Sequence, residues 1–253
     1  MAQYEIYALW LGERMADNAR FMYLTHPERQ TTIFYYLWLI KSREETIVVD
    51  TGFSPEAAQR RGLANYAHPL ERLAQIRVNP MSIQTLIVSH LHWDHFATPE
   101  YFPQATFYLQ EREAHFFTGP FARYSVFNQF VDAESIEKMV TLNYQGRIQF
   151  LDGTKEILPG LKVHLTGGHT PGHQIVEVST IKGQAILGID ACHLYRNLEE
   201  MIPGGVIVDL REMVRGLETV KALAAAPDLA FPGHDPALLR KCPQVAEGIL
   251  RLA

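Results

Sequence analysis

The stretch that most constrains this chain is Ser89-His90-Leu91-His92-Trp93-Asp94-His95, which closes the apolar run Thr85-Leu86-Ile87-Val88. A short β-branched run reads as a buried strand, so the three histidines and the aspartate fall on the loop where that strand ends. In extended backbone, residues two apart face the same side. His90 and His92 can therefore grip one ion together, while Asp94 and His95 turn toward a second. Neutral imidazole and carboxylate suit Zn²⁺, Mn²⁺ or Fe²⁺. The bland reading is a solvated turn, which four potential ligands packed so closely rarely are.

Three later stretches point the same way. Gly167-Gly168-His169-Thr170-Pro171-Gly172-His173 offers histidine in a Gly/Pro-rich turn. Leu187-Gly188-Ile189-Asp190 ends an apolar run on a carboxylate, and Phe231-Pro232-Gly233-His234-Asp235 ends one on a histidine. Each sits where a strand gives way to a loop, the usual place for a site on a mixed α/β scaffold. Bulk properties narrow the partners. A net charge of -5 argues against nucleic acid, because phosphate binding needs a basic face. No stretch approaches the ~20 apolar residues of a membrane span. The N-terminus shows no secretory signal and two cysteines are too few for a disulfide framework, so a reducing cytoplasm is the expected location.

Along the chain, residues 4–11 read as a strand, and 12–31 as a long loop of the kind that serves as a lid. Residues 32–40 and 45–49 read as a hairpin, 69–78 as a helix and 86–88 as the strand before the metal motif. Thr98 can cap a short helix at 98–100. Residues 105–109 read as a strand, 111–117 as a helix, 118–128 as irregular and aromatic, and 131–142 as a helix. Further strands are expected at 149–151, 161–165, 174–178, 185–189 and 229–231. The clearest helix is 210–224, with Leu210, Met213, Val214, Leu217, Val220 and Ala224 on one stripe and Asp209 as its cap. Residues 243–252 read as a closing helix. No low-complexity linker divides the chain, so residues 1–253 are expected to form one domain.

The order H-x-H-x-D-H, then H, D and H, resembles the metallo-β-lactamase-fold hydrolases, and within them the N-acyl-homoserine lactone lactonase group. The resemblance runs from Val48-Val49-Asp50-Thr51-Gly52 to Pro232-Gly233-His234-Asp235. It implies an α/β (α+β) fold, a four-layer αββα sandwich with the metal site along one edge. It also implies two divalent ions, zinc first, with iron, manganese or cobalt as alternatives. His90, His92 and His169 would hold one ion, Asp94, His95 and His234 the other, with Asp190 bridging. A shared carboxylate makes physical sense, since two dications ~3.5–4 Å apart repel strongly. Asp50 would lie beneath the ions as acceptor for a ligand imidazole, although an aspartate beside glycine is also an ordinary turn residue.

The implied activity is opening of an N-acyl-homoserine lactone by a hydroxide shared between the ions, a quorum-quenching reaction, with Asp94 also passing a proton to the leaving alkoxide. Phe21, Met22, Phe116, Phe117, Tyr124, Phe127 and Met201 are candidates for an acyl-chain channel. One departure matters: family members place a tyrosine three residues past the bridging aspartate, where this chain has His193. Tyr195 is the nearest tyrosine, and either residue is a candidate to touch the substrate carbonyl. His173 is a candidate to orient a ligand, whereas His26, His68, His115 and His164 read as surface or packing residues and Cys192 as a small buried one. The alternatives are a lactonase or thioesterase acting on another small ester, and a mononuclear iron sulfur dioxygenase of the same fold. The expected partner is a small lactone or ester, with neither nucleic acid nor membrane, and a homodimer is compatible with the chain.

Overall fold

The computed structural model describes residues 3–253. Its strands, in chain order, are β1 (Glu5–Asp17), β2 (Gln30–Lys41), β3 (Thr46–Val49), β4 (Thr85–Ile87), β5 (Thr106–Gln110) and β6 (Ile148–Leu151). They continue as β7 (Lys155–Leu158), β8 (Leu161–Leu165), β9 (Gln174–Thr180), β10 (Gly183–Ile189), β11 (Ala230–Pro232), β12 (Gln244–Ala246) and β13 (Ile249–Arg251). They form one sheet in the order β12-β13-β1-β2-β3-β4-β5-β6 and a second in the order β11-β10-β9-β8-β7.

The run 32–40 explains why these sheets stack. A strand buried on both faces has no polar side, and β2 is apolar at every position from Ile33 to Ile40. Phe34, Tyr36, Trp38 and Ile40 pack between the sheets with Leu161, Val163, Val176, Val178 and Leu187. Ile33, Tyr35, Leu37 and Leu39 face the other way, toward Ala57, Leu73, Ala114 and Met139 on helices. On the far side of the second sheet, Ile175 and Ile186 meet Leu217 and Val220 of the helix Leu210–Leu223. Helix, sheet, sheet and helix thus stack in four layers. Parallel pairing of β3, β4, β5 and β6 requires crossovers, and the helices ride on them. Among the described residues, no helix is long and apolar enough to cross a membrane.

Several expectations need correction. Residues 243–252 are a hairpin of β12 and β13, with Gly248 in the left-handed region at its turn (φ 68°) and Ile249 paired with Leu9. A mid-segment glycine disfavours a helix, and β1 offers an unpaired edge. The expected loop 12–31 is strand as far as Asp17, because Gly12 marks a bulge rather than a turn: pairing shifts between Trp10 and Gly12, whose φ is 148°. Thr98 does not cap the 3-10 turn Pro99–Tyr101; its hydroxyl donates to Thr51 O instead (2.9 Å). The helices Pro55–Arg60 and Tyr195–Glu200 and strand β7 are too short to give a periodic signal. Asp209 does cap its helix, accepting from Arg211 N and Glu212 N.

Candidate metal centre

The donors converge because β3, β4, β10 and β11 all end at the same edge of the stacked sheets, and the turn between β8 and β9 reaches the same place. After β4, the chain folds tightly, with His95 N and Phe96 N donating to His92 O, which turns His90 and His92 to one side and Asp94 and His95 to the other. Asp190 follows Ile189, whose left-handed backbone (φ 48°) is strained for a β-branched residue. The pairing of β10 with β11 shifts at the same point.

Asp190 is met from both sides. Its Oδ2 lies 3.1 Å from His169 Nε2 and 3.8 Å from His90 Nε2, while its Oδ1 lies 3.1 Å from His234 Nε2 and 3.5 Å from His95 Nε2. Asp94 Oδ2 sits 3.3 Å from His95 Nε2 and 3.7 Å from His234 Nε2. His92 presents Nδ1, 2.9 Å from His169 Nε2. Two groups result, each compact enough to hold a cation: His90, His92, His169 and Asp190, and Asp94, His95 and His234.

The chemistry of these groups fits two divalent ions. His90 Nε2, His95 Nε2 and Asp190 Oδ1 are buried without a hydrogen-bond partner. An unpaired buried polar atom costs about 1–3 kcal/mol, and a shared cation relieves several at once. Burial and neighbouring imidazoles hold His90 and His92 well below the ordinary imidazole range, leaving neutral lone pairs. Burial also opposes charge on His95 and His234, but Asp94 and Asp190 overcome it and raise both. The two carboxylates stay ionised in spite of burial because those imidazoles surround them.

A ring of hydrogen bonds orients the donors. Asp50, fully buried and left-handed (φ 69°), accepts from His95 Nδ1 at 2.7 Å, from Ser89 N at 2.7 Å and from Ser89 Oγ at 2.9 Å. His169 Nδ1 and His234 Nδ1 donate to the carbonyls of Val206 (2.8 Å) and Phe34 (2.7 Å). His173 Nε2 accepts from Asp190 N at 3.2 Å and so positions Asp190 without joining either donor group. Glu113 ties two ligand loops together, accepting from Leu91 N and Gly172 N at 2.9 Å each. Gly233 leaves room for Asp190, since a Cβ there would lie 2.9 Å from Asp190 Oδ1 and 2.6 Å from Ile189 O.

Above the donors lies a cleft. Asp94, Asp190, His193 and His234 face into it, with Phe21, Tyr35 and two arginines, Arg14 and Arg20, on its walls. An aromatic groove lined by Phe116, Phe117, Phe127 and Phe130 adjoins it, and His92, His169 and Arg20 line both. Of the expected channel residues, Met22, Tyr124 and Met201 line neither space. His193 is at the cleft, its Nε2 3.3 Å from Asp190 Oδ2, and burial lowers its pKa to about 4. Tyr195 is not: its ring lies beneath Lys241 Nζ (3.7 Å) and lines a separate cavity with Lys221. Helix Tyr195–Glu200 starts at this residue and turns the ring away from Asp190.

Sequence reasoning did not single out Tyr35, Arg14, Arg20 or Glu113. Tyr35 packs edge-on against His234 (5.3 Å between centroids), and burial with the nearby Asp94 raises its pKa strongly, so it stays a phenol. The one signal for it, a hydroxyl on this apolar run, is shared with the neighbouring Tyr36 and so does not single it out. Nothing in the local pattern marks the arginines or the glutamate.

Comparison with known proteins places this geometry. The sequence pattern of the metallo-beta-lactamase superfamily matches residues 32–180. The chain is 24% identical to an N-acyl homoserine lactonase of Bacillus thuringiensis, over 94% of this chain and 96% of that one. The fold is similar to the crystal structure of a quorum-quenching N-acyl homoserine lactone lactonase, with a TM-score of 0.80 at 22% identity, covering 97% of this chain and 98% of the other. It is also similar to an N-acyl homoserine lactone hydrolase with N-hexanoyl-L-homoserine at its catalytic metal centre, with a TM-score of 0.79 at 23% identity and the same coverage.

Proposed function

The chain belongs to the metallo-beta-lactamase superfamily, and we propose that it is a dinuclear metal-dependent hydrolase that opens lactone rings, with N-acyl homoserine lactones the first class to test. The observation that carries this reading is Asp190, whose two carboxylate oxygens each face a different set of imidazoles. In this reading His90, His92 and His169 hold one divalent ion, Asp94, His95 and His234 the other, and Asp190 is shared. The nitrogen and oxygen donor set suits zinc, with iron, manganese or cobalt also accommodated. Such ions supply Lewis acidity, polarising a carbonyl and bringing the pKa of water toward ~7.

The chain's own residues do the rest. Asp94, ionised and at the cleft floor, takes the proton released on attack and delivers it to the alkoxide of the opened ring. Tyr35 donates its phenol hydrogen to the oxygen of the ester carbonyl, the role that His193 and Tyr195 were candidates for. His193, neutral because of its burial, steadies Asp190 from the cleft side. The aromatic groove takes the apolar part of the substrate and keeps water from it.

Metal analysis and a pH-indicator screen of metal-loaded protein against lactones, thioesters and β-lactams test the reading. The expected result is two ions per chain and acid release from lactones, abolished in His92→Ala and Asp190→Ala. Tyr35→Phe should lose about 100-fold or more in kcat while keeping both ions. One iron per chain with oxygen uptake on a persulfide would replace this reading with the dioxygenase.

A further inference from the structure

We infer that Arg14 and Arg20 form an anion subsite in the cleft, and that the substrate is a lactone or ester carrying a second, carboxylate group remote from the bond that breaks. This inference rests on the hydrolase reading above and narrows its substrate class.

The placement of Arg14 is the first argument. In a regular ladder, alternate residues of β1 face opposite sides, and Ile6 and Ala8 point between the sheets. Arg14 would join them if the alternation continued. The bulge between Trp10 and Gly12 slips the pairing, so that Gly12 stands opposite Tyr35 and Arg14 opposite Ile33. Beyond the bulge the even-numbered residues share a face with Tyr35, and Ala16 packs in that residue's cluster. A bulge is a recurring way to re-aim one side chain beside a site. Here it turns a guanidinium into the cleft over the candidate metal centre.

The second argument is that Arg14 has no partner there. Its Nε is shut off from solvent without a hydrogen bond, and among the described residues the side chain makes no ion pair. Arg20 is nearly as free: among the described residues the one carboxylate within 4.0 Å is that of Asp17, at 4.0 Å, and 46% of its side chain is exposed. Elsewhere in the chain buried or half-buried arginines are engaged: Arg72 bonds the carbonyls of Trp10 and Glu247, Arg147 those of Phe102 and Ala105, and Arg61 pairs with Asp132. Two uncommitted guanidinium groups on one cleft wall match a planar carboxylate, which accepts paired N–H donors. Arg20 also lines the aromatic groove, so the anion would sit where inner cleft and groove meet.

The test compares two lactones of equal size, a γ-butyrolactone bearing a ring carboxylate and the same ring bearing a carboxamide. With metal-loaded wild-type protein, kcat/KM should favour the carboxylate by about tenfold or more, mostly through KM, the scale of one charge-assisted hydrogen bond. In Arg14→Gln the preference should collapse to about one, and in Arg20→Gln, at an exposed position that tolerates change, it should shrink. Calorimetric binding of glutarate against its monoamide, to wild type and both variants, reads the subsite without ring opening. Lactones opened with no charge preference, or a preference that survives both substitutions, would overturn the subsite and leave the lactonase reading standing. Glutarate binding that depends on Arg14, with neither lactone opened, would keep the subsite and sink the lactonase reading.

Discussion

Asp50→Asn is the substitution whose cost can be worked most directly. The side chain accepts three hydrogen bonds, from His95 Nδ1, Ser89 N and Ser89 Oγ, and is fully buried. Asparagine fits the same volume, but its amide presents one acceptor and one donor. With the oxygen toward Ser89 N, the NH₂ group confronts His95 Nδ1–H and one donor must give way. The imidazole then loses a charge-assisted bond worth roughly 1.5–3 kcal/mol. It also loses the interaction that keeps Nδ1 protonated and Nε2 free as a ligand. Loss of such an outer partner weakens metal binding by about 10- to 100-fold. A chelator competition titration should show that loss chiefly for the ion held by Asp94, His95 and His234, with far-UV circular dichroism unchanged. Affinities within about twofold of wild type would refute the argument that Asp50 orients His95.

Other outcomes follow from the same geometry. Glu113→Gln should lower unfolding free energy by about 1–3 kcal/mol in urea titrations, because one amide oxygen replaces a carboxylate that accepts from both Leu91 N and Gly172 N. Metal affinity should rise with pH. In the metal-free protein Asp94 and Asp190 raise the pKa of His95 and His234, so an ion entering the Asp94, His95 and His234 group must displace protons, and acid restores them. Equilibrium dialysis across pH 5 to 8 reads this, and affinity independent of pH would contradict it. Stripping the ions should also lower the thermal midpoint, as removal of any ligand of the native state does.

The elements that were legible in sequence are those whose signal is local. The doubly buried strand β2 announced itself by unbroken hydrophobicity, and the helix Leu210–Leu223 by its stripe and its aspartate cap. The misreadings share a cause. Residues 243–252 carry helix-compatible composition, yet they pair with β1, an edge that lies more than two hundred residues away in the chain. Gly12 looked like the end of a strand because a bulge and a turn call for the same residue. Tyr195 looked near Asp190 because it is near in sequence, whereas its ring, on a helix that starts there, lines a separate cavity with Lys221 and Lys241.

The candidate donors, and the expectation that His90 goes with His92 and Asp94 with His95, come from the sequence, because those four side chains crowd one short loop. That Asp190 faces both sets of imidazoles, that Asp50 lies under His95, and that Arg14 enters the cleft belong to the tertiary structure. Those facts depend on strand register and on which strands end together. Both are decided by how the two sheets bury their apolar faces, a property of contacts across the whole chain.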